Sequence, residues 1–490
     1  MVRKPTRVLA FDFGASSGRA ILGTFIDGKL NYEEIHRFEN NPIPYKNHLC
    51  WDFPTLWAEV KTGLRKAEEK GGFDSIGVDT WGVDYGLLDA NDHLLDLPVH
   101  YRDDRTTGVV NKVYERLSAR YLYTYTGNQV MPINTLFQLA SSPETLQKAQ
   151  TLLFIPDLFG FMLTGKKYCE RSIASTSQML DPLSETWADV VLEAVQIPDW
   201  LVCELIPSGT VVGPVRPELR EELHIPESVK VVAVAGHDTQ CAVAAMPTND
   251  TEVAFISCGT WSLFGTELKN PILTEHSRKL ELTNEIGANG KINYLKNIIG
   301  LWLIQESRRE YRRQGTEYSY AELEKLALET APFGSMIDPD APEFTPLGNI
   351  PARIQRFCRA SEQTPPKTVG ETMRCIYESL ALKYRYTLEQ IQQATGKKFK
   401  AIHMLGGGAK DRLLCQMTAD SCGIPVVAGP VEATALGNIL IQLVALGEIE
   451  NLEQGRNLVR TMTELKTYHP QDIPAWEEAY RRYQTLLETK

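Results

Sequence analysis

The sequence contains no CxxC pair, no HExxH pair, no surplus of positive charge and no low-complexity segment. Its nine cysteines (Cys50, Cys169, Cys203, Cys241, Cys258, Cys358, Cys375, Cys415 and Cys422) are scattered and odd in number. Neither a zinc ribbon nor a thioredoxin-type site is written in that spacing. Lys and Arg number 51 against 62 Asp and Glu, a formal charge of −11. Affinity for polyphosphate rests on accumulated cations, so the balance argues against bulk nucleic-acid or anionic-membrane binding. A small basic pocket for one nucleotide stays compatible with it. Long apolar runs are also missing. The most apolar stretch, Leu152 to Leu163, is broken by Pro156 and Asp157 and is too short to span a bilayer. Met1 to Arg7 is basic, but no apolar segment of a signal peptide follows before Asp12. The expectation is a reduced, soluble, cytoplasmic protein without nucleic-acid or membrane partners, as a monomer or small homo-oligomer.

What is present is ordinary globular composition, 43% hydrophobic and 23% charged, over 490 residues, enough for two or three domains. The opening reads as a β-meander. Val8–Phe13 and Arg19–Phe25 flank the small-residue turn Gly14 to Gly18, and Asp27-Gly28 is a type I′ hairpin signal leading into Leu30–Phe38. Pro54 starts a helix with Leu56, Trp57, Val60 and Leu64 on one face. Strands at Ser75–Val78, Val83–Leu88 and Val229–Ala235 follow, with helices between them. Near residue 248, after Pro247-Thr248-Asn249-Asp250, the opening plan recurs: Val253–Ile256, the turn Ser257 to Thr260, and Trp261–Gly265. Thr368 and Glu371 form a capping box for a helix that Gly396 ends. Strands Ala401–Leu405 and Ile424–Ala428 precede a helix carrying the small residues Ala433, Ala435 and Gly437, and Pro474–Leu487 closes the chain as a helix. This alternation predicts the α/β class, in two halves of similar architecture.

Three small-residue turns each follow an apolar strand: Gly14-Ala15-Ser16-Ser17-Gly18, Ser257-Cys258-Gly259-Thr260 and Gly406-Gly407-Gly408. Such turns let several backbone N–H groups approach one phosphate. Any one of them is equally a β-turn, but three, on both halves, favour a nucleotide. The hydroxyls of Ser16, Ser17 and Thr260 and the cation of Arg19 would add donors. The segment from Gly160 to Lys167 only imitates a Walker A loop. Lys167 stands where the Mg²⁺-binding hydroxyl belongs, and a helix ending at Gly165 is the expected structure. The triple glycine likewise fails GxGxxG, because Asp411 replaces the third Gly.

Carboxylates close several strands. Asp12 ends the first, where it would hold Mg²⁺ through water or else cap a turn. Asp79 and Asp84 flank Thr80-Trp81-Gly82-Val83. That mixture of acids, bare backbone and an indole suits a polyol, Trp81 stacking on the sugar and Asp84 taking its hydroxyls; it equally suits a hairpin with a core Trp. Gly236-His237-Asp238-Thr239 ends an apolar strand abruptly. Asp238 is either a helix N-cap or the carboxylate that phosphoryl transfer to an alcohol needs to accept the hydroxyl proton.

Together these segments resemble the FGGY carbohydrate kinases of the actin/hexokinase-like superfamily. The matching stretches are FDFGASSGR (11–19), DTWGVDYGLLD (79–89), LPVHYRDDRT (97–106), AGHDTQCAVA (235–244), ISCGTWSL (256–263), LKNIIGLWLIQE (295–306), LGGGAKDRLL (405–414) and GPVEATALGNI (429–439). DTWGVD and NIIGLWLIQ resemble the members acting on L-rhamnulose rather than the xylulo-, glucono- or glycerol kinases. The resemblance implies two RNase-H-like domains with ATP in a cleft between them: residues 1–246 with the sugar and the catalytic base, residues 247–490 with ATP. It implies that Ala15, Ser16, Ser17, Gly18 and Arg19 line the ATP phosphates, and that Thr260, Asn297, Gln305 and Gly407, with Gly406 and Gly408, complete the nucleotide site. Asp12 would serve Mg²⁺, Gly82 and His237 would contact the sugar, and Asp238 would be the base. Arg102 is the sugar contact expected from YRDDRT, beside a Tyr101 that stands where many relatives in the wider family carry Trp. The implied reaction is ATP-dependent phosphorylation of the 1-hydroxyl of L-rhamnulose in rhamnose breakdown, with a hinge near residues 246–252. Two alternatives stay open. One is a kinase for another ketose, such as L-fuculose or L-xylulose. The other is a non-catalytic sugar sensor or chaperone-like ATPase, disfavoured because the first phosphate strand begins at Val8 and no extra block remains for a DNA- or peptide-binding module.

Overall fold

The structure, a computed structural model, describes residues 4–488. They group into two compact units, each assembled from three chain segments. The first holds the chain up to Asn249, then Glu267–Tyr294 and Ala433–Thr463; the second holds Asp250–Thr266, Leu295–Glu432 and the chain from Glu464.

The first unit is built on a six-stranded sheet of β1 (Thr6–Phe13), β2 (Ser17–Ile26), β3 (Lys29–Glu39), β4 (Ser75–Thr80), β5 (Thr210–Pro214) and β6 (Lys230–Ala233), in the order β3-β2-β1-β4-β6-β5. The expected meander is there. The β2–β3 turn has Asp27 at φ 50° and Gly28 at φ 75°, the two left-handed residues of a type I′ hairpin. From β1 the sheet continues in parallel: β1 pairs β4 with Asp12 opposite Asp79, and β4 pairs β6 with Gly77 opposite Val232. The helix expected from Pro54 begins one residue earlier, as Phe53–Glu69, capped by Asp52. It buries Leu56, Val60 and Leu64, with Trp57 half-buried.

One face of this sheet is covered by a helix from far along the chain. Val8, Ala10, Ile21 and Phe25 pack against Leu436, Ile439, Leu440 and Leu443 of the helix Ala433–Ala445. Each of these side chains other than Ala10 contributes roughly 1.5–3 kcal/mol through burial. The small residues expected in that helix serve a close crossing: a Cβ on Gly437 would lie 1.8 Å from the Cys241 carbonyl oxygen.

The second unit repeats the plan. Strands β7 (Val253–Cys258), β8 (Trp261–Leu268), β9 (Ala401–Leu405), β10 (Val426–Ala428) and β11 (Lys466–Tyr468) run in the order β8-β7-β9-β10-β11. Here too an antiparallel pair (β7, β8) leads into parallel neighbours (β7, β9, β10), and an antiparallel strand closes the edge. The 27-residue helix Val369–Thr395 has the Thr368/Glu371 capping box and stops at Gly396, φ 69°.

One local expectation shifts and another holds. Val83–Leu88 shortens to Tyr85–Leu88 and pairs with Thr151–Phe154, so no hairpin forms with β4. The Walker-like segment is the end of the helix Ile155–Thr164, with Gly165 left-handed at its C-cap, as its composition required. Among the described residues no helix is long and apolar enough to cross a membrane, and all nine cysteines are free thiols.

Candidate active site

In the first unit three carboxylates stand at the C-terminal ends of adjacent parallel strands, the edge where open α/β sheets gather ligands. Asp12 ends β1. Asp79 is its register partner on β4, and a bridge between Thr80 and His237 carries the row on to Asp238. Asp12 forms an ion pair with Arg19, directly across the β1–β2 hairpin. Asp79 is fully buried. Its Oδ2 receives the Asn438 amide at 2.7 Å, and its Oδ1 has no hydrogen-bond partner among the described residues. Burial, then the nearby Asp12, holds its carboxyl well above the usual range.

Asp238 is the first residue of the helix Asp238–Ala244, not its cap; His237 occupies the N-cap position. Its Oδ1 accepts the Thr239 N–H at 2.6 Å. The side chain keeps 31% of its surface, so a substrate can reach it. The surrounding protein still raises its carboxyl to about 6, chiefly by desolvation, with His237 pulling the other way. The His237 ring lies within 3.3 Å of Asp238 Oδ1 through Nε2 and within 2.9 Å of Glu285 Oε2 through Nδ1. Burial opposes charge on that ring, but Glu285 and then Asp238 outweigh it and raise its pKa.

The first small-residue turn belongs to the same unit. Gly14 N–H donates to Ser17 O at 2.9 Å. Asn40 fastens the turn from outside, through its N–H to Ser16 O and its amide to Gly14 O. Ala15, Ser16 and Ser17 are half-buried, and a Cβ on Gly18 would meet the Phe38 ring at 2.2 Å.

The Trp81–Asp84 segment is organised from behind. Asp84 is fully buried. It accepts four N–H groups, from Trp51 Nε1 (2.7 Å), Trp81 Nε1 (3.0 Å), the Tyr101 backbone (3.2 Å) and Gln138 Nε2 (2.9 Å). Both of its oxygens are therefore occupied within the protein, and burial lifts it to about 6. Trp81 is 5% exposed and packs on Trp51 at 3.9 Å between centroids; Trp51 in turn packs on His100 at 4.1 Å. Gly82 O accepts the Asp84 N–H across a γ-turn in which Val83 has φ 66°. Thr176 and Thr135 hold that strained residue, bonding its N–H and C=O. Arg102 lies over the Tyr101 ring at 5.2 Å.

The second unit brings the other two turns together. Ser257 pairs with Leu405 on parallel neighbours, so Gly259-Thr260 and Gly406–Gly408 share one sheet edge. Thr260 Oγ1 donates to Gln305 Oε1 at 3.3 Å. Thr260 O receives Gly300 N–H and Trp302 N–H, which ties the turn to the start of the helix Trp302–Arg313. Gly406 has φ 78°, and a Cβ on Gly408 would stand 2.2 Å from Cys258 Sγ. The third turn leads into the helix Arg412–Cys422, capped by Asp411. Asn297, on the strand Ile292–Ile299, is half-buried.

Sequence reasoning missed Glu285, Asn438 and Glu170. Glu285 and Asn438 lie 48 and 359 positions from their partners His237 and Asp79. Glu170 Oε2 receives Gly236 N–H at 2.8 Å, just before His237. No local spacing announces contacts of that range.

Solved structures share this fold. A gluconate kinase from Lactobacillus acidophilus superposes with a TM-score of 0.80 at 17% identity, covering 99% of this chain and 98% of that one. Plasmodium falciparum glycerol kinase with ADP superposes at 0.78 and 13%, covering 99% and 98%. Sequence relatives are nearer. Rhamnulokinase of Bacteroides thetaiotaomicron is 41% identical over 483 residues, 98% of this chain and 99% of that protein. Rhamnulokinase of Enterococcus faecalis is 40% identical over 484 residues, 98% and 97%. Residues 7–245 match the FGGY family of carbohydrate kinases, N-terminal domain, and residues 254–446 match its C-terminal domain. The chain belongs to the FGGY family of carbohydrate kinases, with their two-domain α/β fold.

Proposed function

We propose that this chain transfers the terminal phosphoryl group of ATP to the 1-hydroxyl of L-rhamnulose, with Asp238 as the general base. The choice of sugar rests on full-length relatives named rhamnulokinase at 38–41% identity. The observation that carries the base assignment is the placement of Asp238: reachable, beside His237, at the end of the row that begins with Asp12.

Phosphoryl transfer asks little covalent chemistry of the protein and much alignment and charge stabilisation. Asp238, ionised above about pH 6, takes the proton from the sugar hydroxyl as its oxygen attacks phosphorus. His237 and Gly82 orient the sugar. Trp81, Asp84 and Arg102 shape its pocket, Asp84 from inside. The residues assigned to the nucleotide are Ala15 to Arg19, Thr260, Asn297, Gln305 and Gly406 to Gly408. The hinge expected near residues 246–252 falls at the family boundary between residues 245 and 254, and its role would be to exclude water, a competing acceptor.

Among the described residues no group of three or more His, Cys, Asp or Glu is placed to hold a metal ion. Mg²⁺ commonly keeps several waters and uses one or two carboxylates with substrate phosphates. The donor set present, Asp12 beside the first turn with Arg19 on its flank, fits a water-mediated hold. When bound, Mg²⁺ neutralises charge on the phosphates.

A coupled ADP assay on L-rhamnulose, L-fuculose and L-xylulose, with and without Mg²⁺, tests the reading. L-Rhamnulose should give the highest kcat/KM and Mg²⁺ should be required. Asp238→Asn should bind ATP and sugar yet lose about 10²–10⁴-fold in kcat. Wild-type turnover by that variant would end the base assignment, and a clear preference for another ketose would end the substrate assignment.

A further inference from the structure

The nearest partner of the His237 ring is a carboxylate that lies in neither the first family segment nor any of the motifs above. Glu285 sits on the short strand Thr283–Ile286, within the span of the C-terminal family domain but inside the same compact unit as His237. The strand is sewn into that unit on both sides. Asn284 N–H donates to Gly127 O at 2.9 Å, Asn128 Nδ2 donates to Thr283 Oγ1 at 3.0 Å, and Ile286 N–H donates to Ser175 Oγ at 2.9 Å. Glu285 is thus 3% exposed. Its Oε2 receives the Gln240 amide N–H at 2.6 Å, and Gln240 Oε1 is in turn held by the Asn293 amide. An oxygen that already accepts one N–H marks itself as an acceptor. The ring nitrogen 2.9 Å from it, His237 Nδ1, is therefore the donor.

We infer that Glu285 is a positioning residue for phosphoryl transfer: by binding Nδ1–H it fixes the tautomer and orientation of His237, so that Nε2 faces Asp238 Oδ1 at 3.3 Å. The inference rests on Asp238 being the base. Its physical content is a ring held in place across the proton transfer. Before the step, the ring that donates Nδ1–H to Glu285 turns the lone pair of Nε2 towards the ionised Asp238. After the step, the proton that left the sugar hydroxyl resides on Asp238, which donates it towards Nε2. In both states the ring stays put, because Glu285 and Gln240 hold its other edge. A free imidazole would place its single N–H on either nitrogen and turn with it. The other charged or titratable groups facing the pair are Glu170, Asp12, Asp79 and the thiol of Cys241, with Arg19 bound to Asp12.

The test uses the full chain with ¹⁵N-labelled histidine, His237 being assigned by its loss in His237→Asn. The wild-type ring should carry its proton on Nδ1. Glu285→Gln, which keeps a neutral acceptor, should lower kcat less than Glu285→Ala. Glu285→Ala should lose at least about tenfold, within the range a general base supplies, while KM for ATP stays within about twofold. A wild-type ring protonated on Nε2 alone overturns the inference whatever the kinetics. So does a folded Glu285→Ala variant with wild-type kcat on the ketose that the wild type turns over. If the wild type turns over none of the ketoses, the proposed function fails, and the ring tautomer still judges the Glu285 contact by itself.

Discussion

Gly437 and Cys241 meet closer than any side chain would allow: a Cβ on Gly437 would stand 1.8 Å from the Cys241 carbonyl oxygen and 2.5 Å from its carbon. Backbone cannot retreat as the tip of a flexible side chain can, so the helices Asp238–Ala244 and Ala433–Ala445 must part if Gly437 gains a methyl group. The first of these helices begins with Asp238. Gly437→Ala should therefore lower stability by roughly 2–3 kcal/mol and kcat by up to about 10²-fold, the effect of an ångström-scale misplacement. Gly334→Ala is the control, because its Cβ would meet nothing within 4 Å and its φ is not positive. Urea melts and initial rates on the two variants settle the matter; equal values would contradict the crossing described here.

The proposed base titrates near about 6, above the ordinary carboxylate value of 3.8. A base works only when ionised. kcat should therefore be level above that pH and fall about tenfold per pH unit below it. A rate profile taken on wild-type protein with saturating substrates gives the midpoint directly. A midpoint near 4 would show that the surrounding protein does not lift this carboxyl in the working complex.

Asp84 gathers four N–H groups while wholly buried. Asp84→Ala leaves them without an acceptor, and the loss should be on the order of 3 kcal/mol or more. Asp84→Asn tests the charge separately. A carboxyl raised in the folded state to about 6 contributes stability that is complete below its unfolded value and is lost as pH rises through about 6. The stability gap between wild type and Asp84→Asn should accordingly widen as pH is lowered from about 6 to 4. A constant gap, measured by urea titration at several pH values, would count against a buried ionisable group at this position.

Gly408→Ala would drive a methyl group to within 2.2 Å of Cys258 Sγ and 2.5 Å of its Cβ. The two turns at this edge should separate, raising KM for ATP several-fold and leaving KM for the sugar within about twofold. Cys258→Gly introduced into the same chain removes the obstructing atoms and should restore most of the nucleotide affinity. Failure of that rescue would mean that the turn tolerates no side chain for another reason.

Much of this architecture was legible in the residues themselves. The meander followed from apolar runs punctuated by Asp27-Gly28, the long helix from Thr368, Glu371 and Gly396, and the false Walker loop from Lys167. Asp238 stood out because an apolar strand ends beside it. What stayed hidden shares one cause, distance along the chain. Glu285 reaches His237 through a strand whose own sequence, TNEI, has no alternation to mark it. Asp84 read as a ligand for hydroxyls because nothing nearby in sequence announces that Trp51, Tyr101 and Gln138 converge on it. Likewise, the composition of the helix Ala433–Ala445 says that it packs closely but not that it covers β1 and β2.

That last helix has a bearing on how the molecule is made. Domains commonly fold as units while the chain emerges from the ribosome, but here the opening sheet waits for Leu436, Ile439 and Leu440 to cover Val8 and Ile21. The first unit is complete only once Thr463 has left the exit tunnel, by which time most of the second has been translated. A fragment ending near residue 246 would carry Asp238 with one side of its sheet bare, an aggregation-prone half rather than a smaller enzyme.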